Sequence, residues 1–127
     1  MILAITVDRD SVCAGDDCAS HEAAFSIAAS CDILEVLAAA WRVCPLASIA
    51  GGQATWLIDV IGQLGPIGVM AQQWSAPKLL ILPNTSAEDI FKGSKQPSLY
   101  FRYWCQSDPD EVLEAIRTHA PLPARYS

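Results

Sequence analysis

Three apolar runs of strand length follow one another between residues 54 and 82. They read Ala-Thr-Trp-Leu-Ile-Asp-Val-Ile, Ile-Gly-Val-Met-Ala-Gln-Gln-Trp and Lys-Leu-Leu-Ile-Leu, and Gly, Pro or Ser closes each run. β-branched and aromatic residues are common in the first two runs, which is typical of strands on a half-buried, pleated surface. The pattern predicts a three-stranded meander at the centre of a sheet.

Further strands are predicted on both sides of this meander. Residues 2–7 are apolar apart from Thr6 and predict a first strand, and residues 22–28 predict a second strand antiparallel to it. The alanines of the second segment leave a helix open as an alternative. Residues 98–105 alternate well, with Leu99, Phe101, Tyr103 and Cys105 on one side, and predict a strand.

Capping signals predict three helices. Asp32 begins a capping-box pair within residues 31–43, and Ser86 begins a similar pair at the start of residues 86–92. Asp108 precedes a proline at the start of the last helix. The order of elements predicts a single α+β domain over residues 1–127, with a mostly antiparallel sheet of about five to six strands and two main helices packed on one face.

The net charge adds to this picture, because it is confined to the first third of the chain. The 127 residues are 52% hydrophobic and 17% charged, which indicates a globular domain, and their formal net charge is −6. Residues 1–41 hold seven acids and one base, whereas residues 42–127 hold seven of each, so the first third carries the whole net charge. This balance disfavours nucleic acid or a membrane surface as the partner.

The acidic third of the chain has two interpretations. It is either a solvated face or a docking surface for a basic protein, whose association such a field accelerates. The candidate partner-binding acids are Asp8, Asp10, Asp16, Asp17 and Glu22.

The strand at residues 98–105 offers a second candidate surface. Tyr100, Arg102 and Trp104 fall on one side of it, and these three residue types dominate binding hot spots. A solvent-facing row would be an interaction surface, whereas a row covered by a helix would be core.

Cysteine usage and the first residues indicate the compartment. The five cysteines are odd in number, and the N-terminal segment lacks the basic and long apolar regions of a signal peptide. Asp59, Gln63 and the Gly65-Pro66 pair interrupt the longest apolar region, so no membrane span is predicted. We therefore expect a cytoplasmic protein with mostly reduced thiols.

Reactive side chains crowd only in the segment between Asp8 and Glu22. Cys13, Cys18 and His21 have a Cys-x4-Cys-x2-His spacing, but no second Cys or His pair follows at the spacing of a zinc finger. The aspartates of this segment do not have the spacing of a calcium loop either. We therefore predict no metal, no cofactor and no catalytic residues. A small cysteine- and histidine-dependent enzyme or a metal-binding protein that uses this segment is the alternative.

Two stretches of the chain suggest a class of protein to compare it with. They are Val7-Asp-Arg-Asp-Ser-Val-Cys-Ala-Gly-Asp-Asp-Cys18 and Gly51-Gly-Gln-Ala-Thr-Trp56. With them the chain resembles the small immunity proteins that bacteria make against interbacterial toxins, as in contact-dependent growth inhibition. The resemblance implies a protein that binds a cognate toxin domain, often a basic nuclease, and blocks its active site. Such proteins share no general motif, so the resemblance assigns no residue.

We therefore predict a protein-binding inhibitor rather than an enzyme, active as a monomer or homodimer. A structural homo-oligomer subunit that binds itself through the Tyr100, Arg102 and Trp104 face or through a sheet edge is the other alternative.

Overall fold

Six strands form one sheet in the computed structural model of the chain, which describes residues 1–12 and 20–125. The strands are β1 (Ile2–Arg9), β2 (Ala23–Ala28), β3 (Thr55–Val60), β4 (Gly68–Ala71), β5 (Lys78–Leu79) and β6 (Ser98–Tyr103), and the helices are α1 (Ile33–Val43), α2 (Ala87–Ile90) and α3 (Pro109–Thr118). The strand order is β2-β1-β6-β3-β4-β5. Among the strands of the described residues, only the β1–β6 pair is parallel. This architecture confirms the predicted α+β class and the mostly antiparallel sheet.

The helices begin where the capping signals predicted. The Asp32 carboxylate accepts a hydrogen bond from the Glu35 N–H at 2.9 Å, and the Glu35 carboxylate accepts one from the Asp32 N–H at 3.2 Å. Ser86 caps α2, and Asp108 caps α3 ahead of Pro109 at the first helical position. These side chains satisfy N–H groups that the first helical turn leaves without a partner, which fixes where each helix starts.

The predicted meander exists, but its position in the sheet was predicted wrongly. Strands β3, β4 and β5 pair in sequence, yet β6 lies beside β3, so the meander forms one side of the sheet and β5 is an edge. The third strand is also shorter than predicted. Leu80 donates to the carbonyl of Ile67, but Pro66 follows as the next partner and has no N–H to continue the ladder.

The prediction that the helices share one face is wrong. Side chains alternate along β3, and Trp56 and Ile58 pack in a core cluster with α1 and α2, while Leu57 between them packs with Val112 of α3. The sheet therefore carries α1 and α2 on one face and α3 on the other. A central strand buried on both faces reads as a near-continuous apolar run instead of an alternating one, and in β3 only Asp59 interrupts the run that follows Thr55.

No helix in the described parts of the chain has the length and apolar character required to cross a membrane.

Candidate protein-binding surface

The face of the sheet that carries α3 is covered only in part. Helix α3 packs against β3 and β4, whereas on this face β2 and β1 carry mostly small side chains and β6 carries Tyr100 and Arg102. We call the exposed part the open face, and its exposed small residues are Ala4, Thr6, Ala24 and Ser26. Small side chains project little from these strands, so the strand backbone lies close to the surface here.

Carboxylates converge at one end of the open face. The strand register places Asp8 opposite Tyr100 and Tyr100 opposite Asp59. Glu22 directly precedes β2, and the register that pairs Val7 with Ala23 continues to place Glu22 beside Asp8. With Asp10, which follows β1, these residues form what we call the acidic row: Asp8, Asp10, Glu22 and Asp59.

Asp10 is fixed in the row by two hydrogen bonds. Its Oδ1 accepts from the Tyr100 hydroxyl at 2.6 Å, and its Oδ2 accepts from the Tyr103 N–H at 2.9 Å. The hydrogen bond to Asp10, burial, and the negative charges of Asp10 and Asp8 together raise the pKa of Tyr100 to about 12. Tyr100 is therefore a neutral hydroxyl that holds the chain after β1 against β6.

Asp59 is paired inside the sheet. The Arg102 guanidinium donates to its two carboxylate oxygens at 2.5 and 3.2 Å, and the side chains are 36% (Arg102) and 19% (Asp59) exposed. Such a two-point contact fixes both planar groups. Arg102 therefore neutralises Asp59, and Asp8 and Glu22 are the acids of the row without a basic side chain within ion-pair distance among the described residues.

Replacing Arg102 by alanine should lower the free energy of unfolding by about 1–2 kcal/mol, because Asp59 would keep a partly buried charge without a partner. Urea unfolding measures this loss. Arg117→Ala is the matched control, since the Arg117–Glu114 pair on α3 has both side chains 59% exposed, and solvent screening should make its loss clearly smaller than that of Arg102→Ala. Equal losses for the two variants would contradict a stabilising role of the Arg102 pair.

Tyr100 and Arg102 lie on one face of β6, Trp104 directly follows the strand, and the three side chains have separate partners. Tyr100 binds Asp10 and Arg102 binds Asp59, so both are half-buried within the sheet face. Trp104 packs with Leu57 and Val112 on the α3 side of the sheet and donates its Nε1–H to the carbonyl of Pro123 at 2.9 Å. The row is thus neither fully exposed to solvent nor fully covered. Trp104 is covered by the chain around Pro123, while Tyr100 borders the open face.

The candidate residues of the segment from Asp8 to Glu22 are described only in part. Cys13, Cys18, Asp16 and Asp17 lie outside the described residues. The His21 Nε2 lies 3.4 Å from the Ser11 Oγ. Among the residues that the structure does describe, no group of three His, Cys, Asp or Glu side chains could hold a metal ion.

Two features of this surface were not identified from the sequence. Asp59 is the one acid inside an otherwise apolar strand, which is a signal, but its place opposite Tyr100 depends on strand order. An open groove of about 600 Å³ also lies between the β3–β4 connection and the end of α3, with Leu64, Leu80 and Leu122 among its apolar lining.

No protein-family model matches this chain, and neither a curated protein nor a solved structure does.

Proposed function

We propose that this chain is a protein-binding inhibitor, an immunity protein that neutralises a cognate toxin domain by binding a basic surface of that domain, such as the active-site region of a nuclease. The observation that carries the proposal is the convergence of the acidic row on a sheet face that α3 leaves open. The first third of the sequence carries the excess of acids, and the register brings Asp8, Asp10 and Glu22 together with Asp59 of β3.

The chemistry of the row suits a basic protein partner. Asp8 and Glu22 provide negative charge that Arg102 does not compensate, and Tyr100 stays protonated, so its hydroxyl adds no charge. The neighbouring small residues Thr6 and Ser26 let a partner lie flat against the strands beside the charges. A surface of this kind steers a basic partner during encounter and rejects acidic ones.

The partner test begins with the chain itself. A tagged chain is used to capture proteins from its native cells at low and at moderate salt, and the bound proteins are identified by mass spectrometry. We expect a basic partner in stoichiometric amount that is toxic when expressed alone and harmless when expressed with this chain. A captured protein that is not neutralised by co-expression, or no partner at either salt, would overturn the inhibitor function.

The docking surface is tested on the same pair of proteins. Asp8→Asn combined with Glu22→Gln should slow association about tenfold at low salt and flatten its salt dependence, because two steering charges are removed. Glu88→Gln combined with Asp89→Asn is the matched control. Glu88 and Asp89 lie on α2, on the other face of the sheet, and their substitution removes the same amount of charge. An equal effect of both double variants would show that only net charge matters and that the acidic row is not the docking surface.

A further inference from the structure

Strand β2 is an edge of the sheet, and its outward backbone groups can be identified. Ala29 N–H donates to the Met1 carbonyl at 2.9 Å, so the odd-numbered residues of β1 and β2 form the hydrogen-bonded pairs of this ladder. In agreement, Thr6 donates to the opposite side, to Pro97 next to β6, at 3.0 Å. The N–H and C=O groups of the even-numbered positions of β2 therefore point away from the sheet: Ala24, Ser26 and Ala28.

These outward groups have almost no partners among the described residues. The carbonyl of Ala28 accepts from the Cys31 N–H at 3.0 Å, but no described residue bonds to the outward main-chain groups of Ala24 and Ser26. Both residues are exposed. A row of free donors and acceptors of this kind is a template for another strand.

The two edges of the sheet differ in their protection. The opposite edge, β5, is only two residues long, begins with Lys78 and follows Pro77, which are features that discourage strand addition. Strand β2 is six residues long and contains no proline and no charged side chain. One edge is therefore blocked while the other is open to pairing.

We propose that β2 pairs with β2 of a second copy of this chain, antiparallel and about a two-fold axis at Ser26. In this register Ser26 lies opposite Ser26 of the second copy, and Ala24 lies opposite Ala28. Each such pair exchanges two backbone hydrogen bonds, because these are the residues whose N–H and C=O groups point outward, and the Ala28 carbonyl, which already accepts from the Cys31 N–H, takes the Ala24 N–H of the second copy as a second donor. The pairing joins two six-stranded sheets into one continuous sheet with closed symmetry.

The side chains of β2 suit this register. Phe25 and Ile27 are partly buried on the face that carries α1, and the two-fold axis places each Phe25 opposite Ile27 of the second copy. Aromatic and β-branched residues opposite one another stabilise antiparallel pairs. The continued register places Glu22 opposite Ser30, so the two Glu22 residues are about 26 Å apart, well beyond the Debye length of about 8 Å at physiological salt.

The inference does not depend on the proposed inhibitor function, and it is tested on the purified chain alone. Sedimentation from about 1 to about 100 µM should show a dimer of 27.4 kDa, twice the 13.7 kDa of one chain, as concentration rises. In hydrogen exchange, the Ala24, Ser26 and Ala28 amides should gain protection over the same concentrations. A monomer throughout this range would overturn the proposal.

Substitutions at the two-fold axis test the register. Ser26→Pro removes an N–H that β1 does not use, and Ser26→Lys places two like charges opposite one another. Both should weaken the dimer at least tenfold, whereas Ser26→Ala keeps the N–H and should not. Circular dichroism checks that each variant is folded.

Charge pairing gives the decisive result. Ser26→Lys and Ser26→Glu should each be monomeric, and an equal mixture of the two should restore the dimer mass. If Ser26→Lys and Ser26→Glu both stay dimeric, or if their mixture stays monomeric, the two-fold axis at Ser26 is wrong.

Discussion

Replacing Phe101 by alanine should lower the free energy of unfolding by about 3–5 kcal/mol, which is a large part of the stability of a domain of this size. Phe101 is fully buried in β6, opposite Ile58 of β3, and its ring centroid lies 5.7 Å from that of Trp41 on α1. The truncation removes a large apolar side chain between the sheet and α1 and leaves a cavity that the surrounding elements fill only in part.

Urea unfolding followed by circular dichroism measures the effect. Leu82→Ala is the matched control, because Leu82 is 72% exposed and its truncation should change the free energy of unfolding by less than about 0.5 kcal/mol. A loss below about 1 kcal/mol for Phe101→Ala would contradict the packing of α1 on β6.

Replacing Asp10 by alanine should lower the free energy of unfolding by about 2–4 kcal/mol. Two hydrogen bonds to a charged group are lost, and the partly buried Tyr100 hydroxyl and Tyr103 N–H are left without their acceptor. Tyr100→Phe removes only the hydroxyl side of this network and should show a smaller loss. Equal losses for both variants would contradict the contribution of the bond to Tyr103.

Asp10→Ala should also change how the ionisation of Tyr100 depends on pH. The folded-state pKa of Tyr100, about 12, lies above the ordinary value of 10, so the hydroxyl bond to Asp10 stabilises the fold fully below about pH 10 and loses this contribution as pH rises from about 10 to about 12. In Asp10→Ala the pKa of Tyr100 should fall toward its ordinary value. Absorbance titration of tyrosinate, with Tyr100→Phe as the reference, measures this shift. An unchanged titration would show that Asp10 does not perturb Tyr100.

Local signals in the sequence determined most of the elements. The Asp32 and Glu35 pair, Ser86, and the Asp108-Pro109 start are contacts within one turn, so the helix starts follow from neighbouring residues alone. The alternation of β6 likewise follows from the two-residue period of a strand. The α+β class could be predicted because it depends only on the kinds and order of these elements.

Strand order was decided by contacts between distant residues. β6 lies between β1 and β3, and no local signal states that residues 98–103 separate strands which come earlier in the chain. For the same reason the sequence did not predict that α3 packs on the face opposite α1. That placement depends on which apolar face of the assembled sheet is still uncovered.

The candidate surface was likewise predictable from the sequence only in part. Its negative charge was visible in the sequence, because the acids outnumber the bases seven to one in residues 1–41. The roles of individual acids depend on the tertiary structure: Asp10 binds Tyr100 and Tyr103, and Asp59 is neutralised by Arg102. Composition determines how much charge a chain carries, whereas strand register determines which charges meet, because register brings together side chains that are some 40 to 90 positions apart in the sequence.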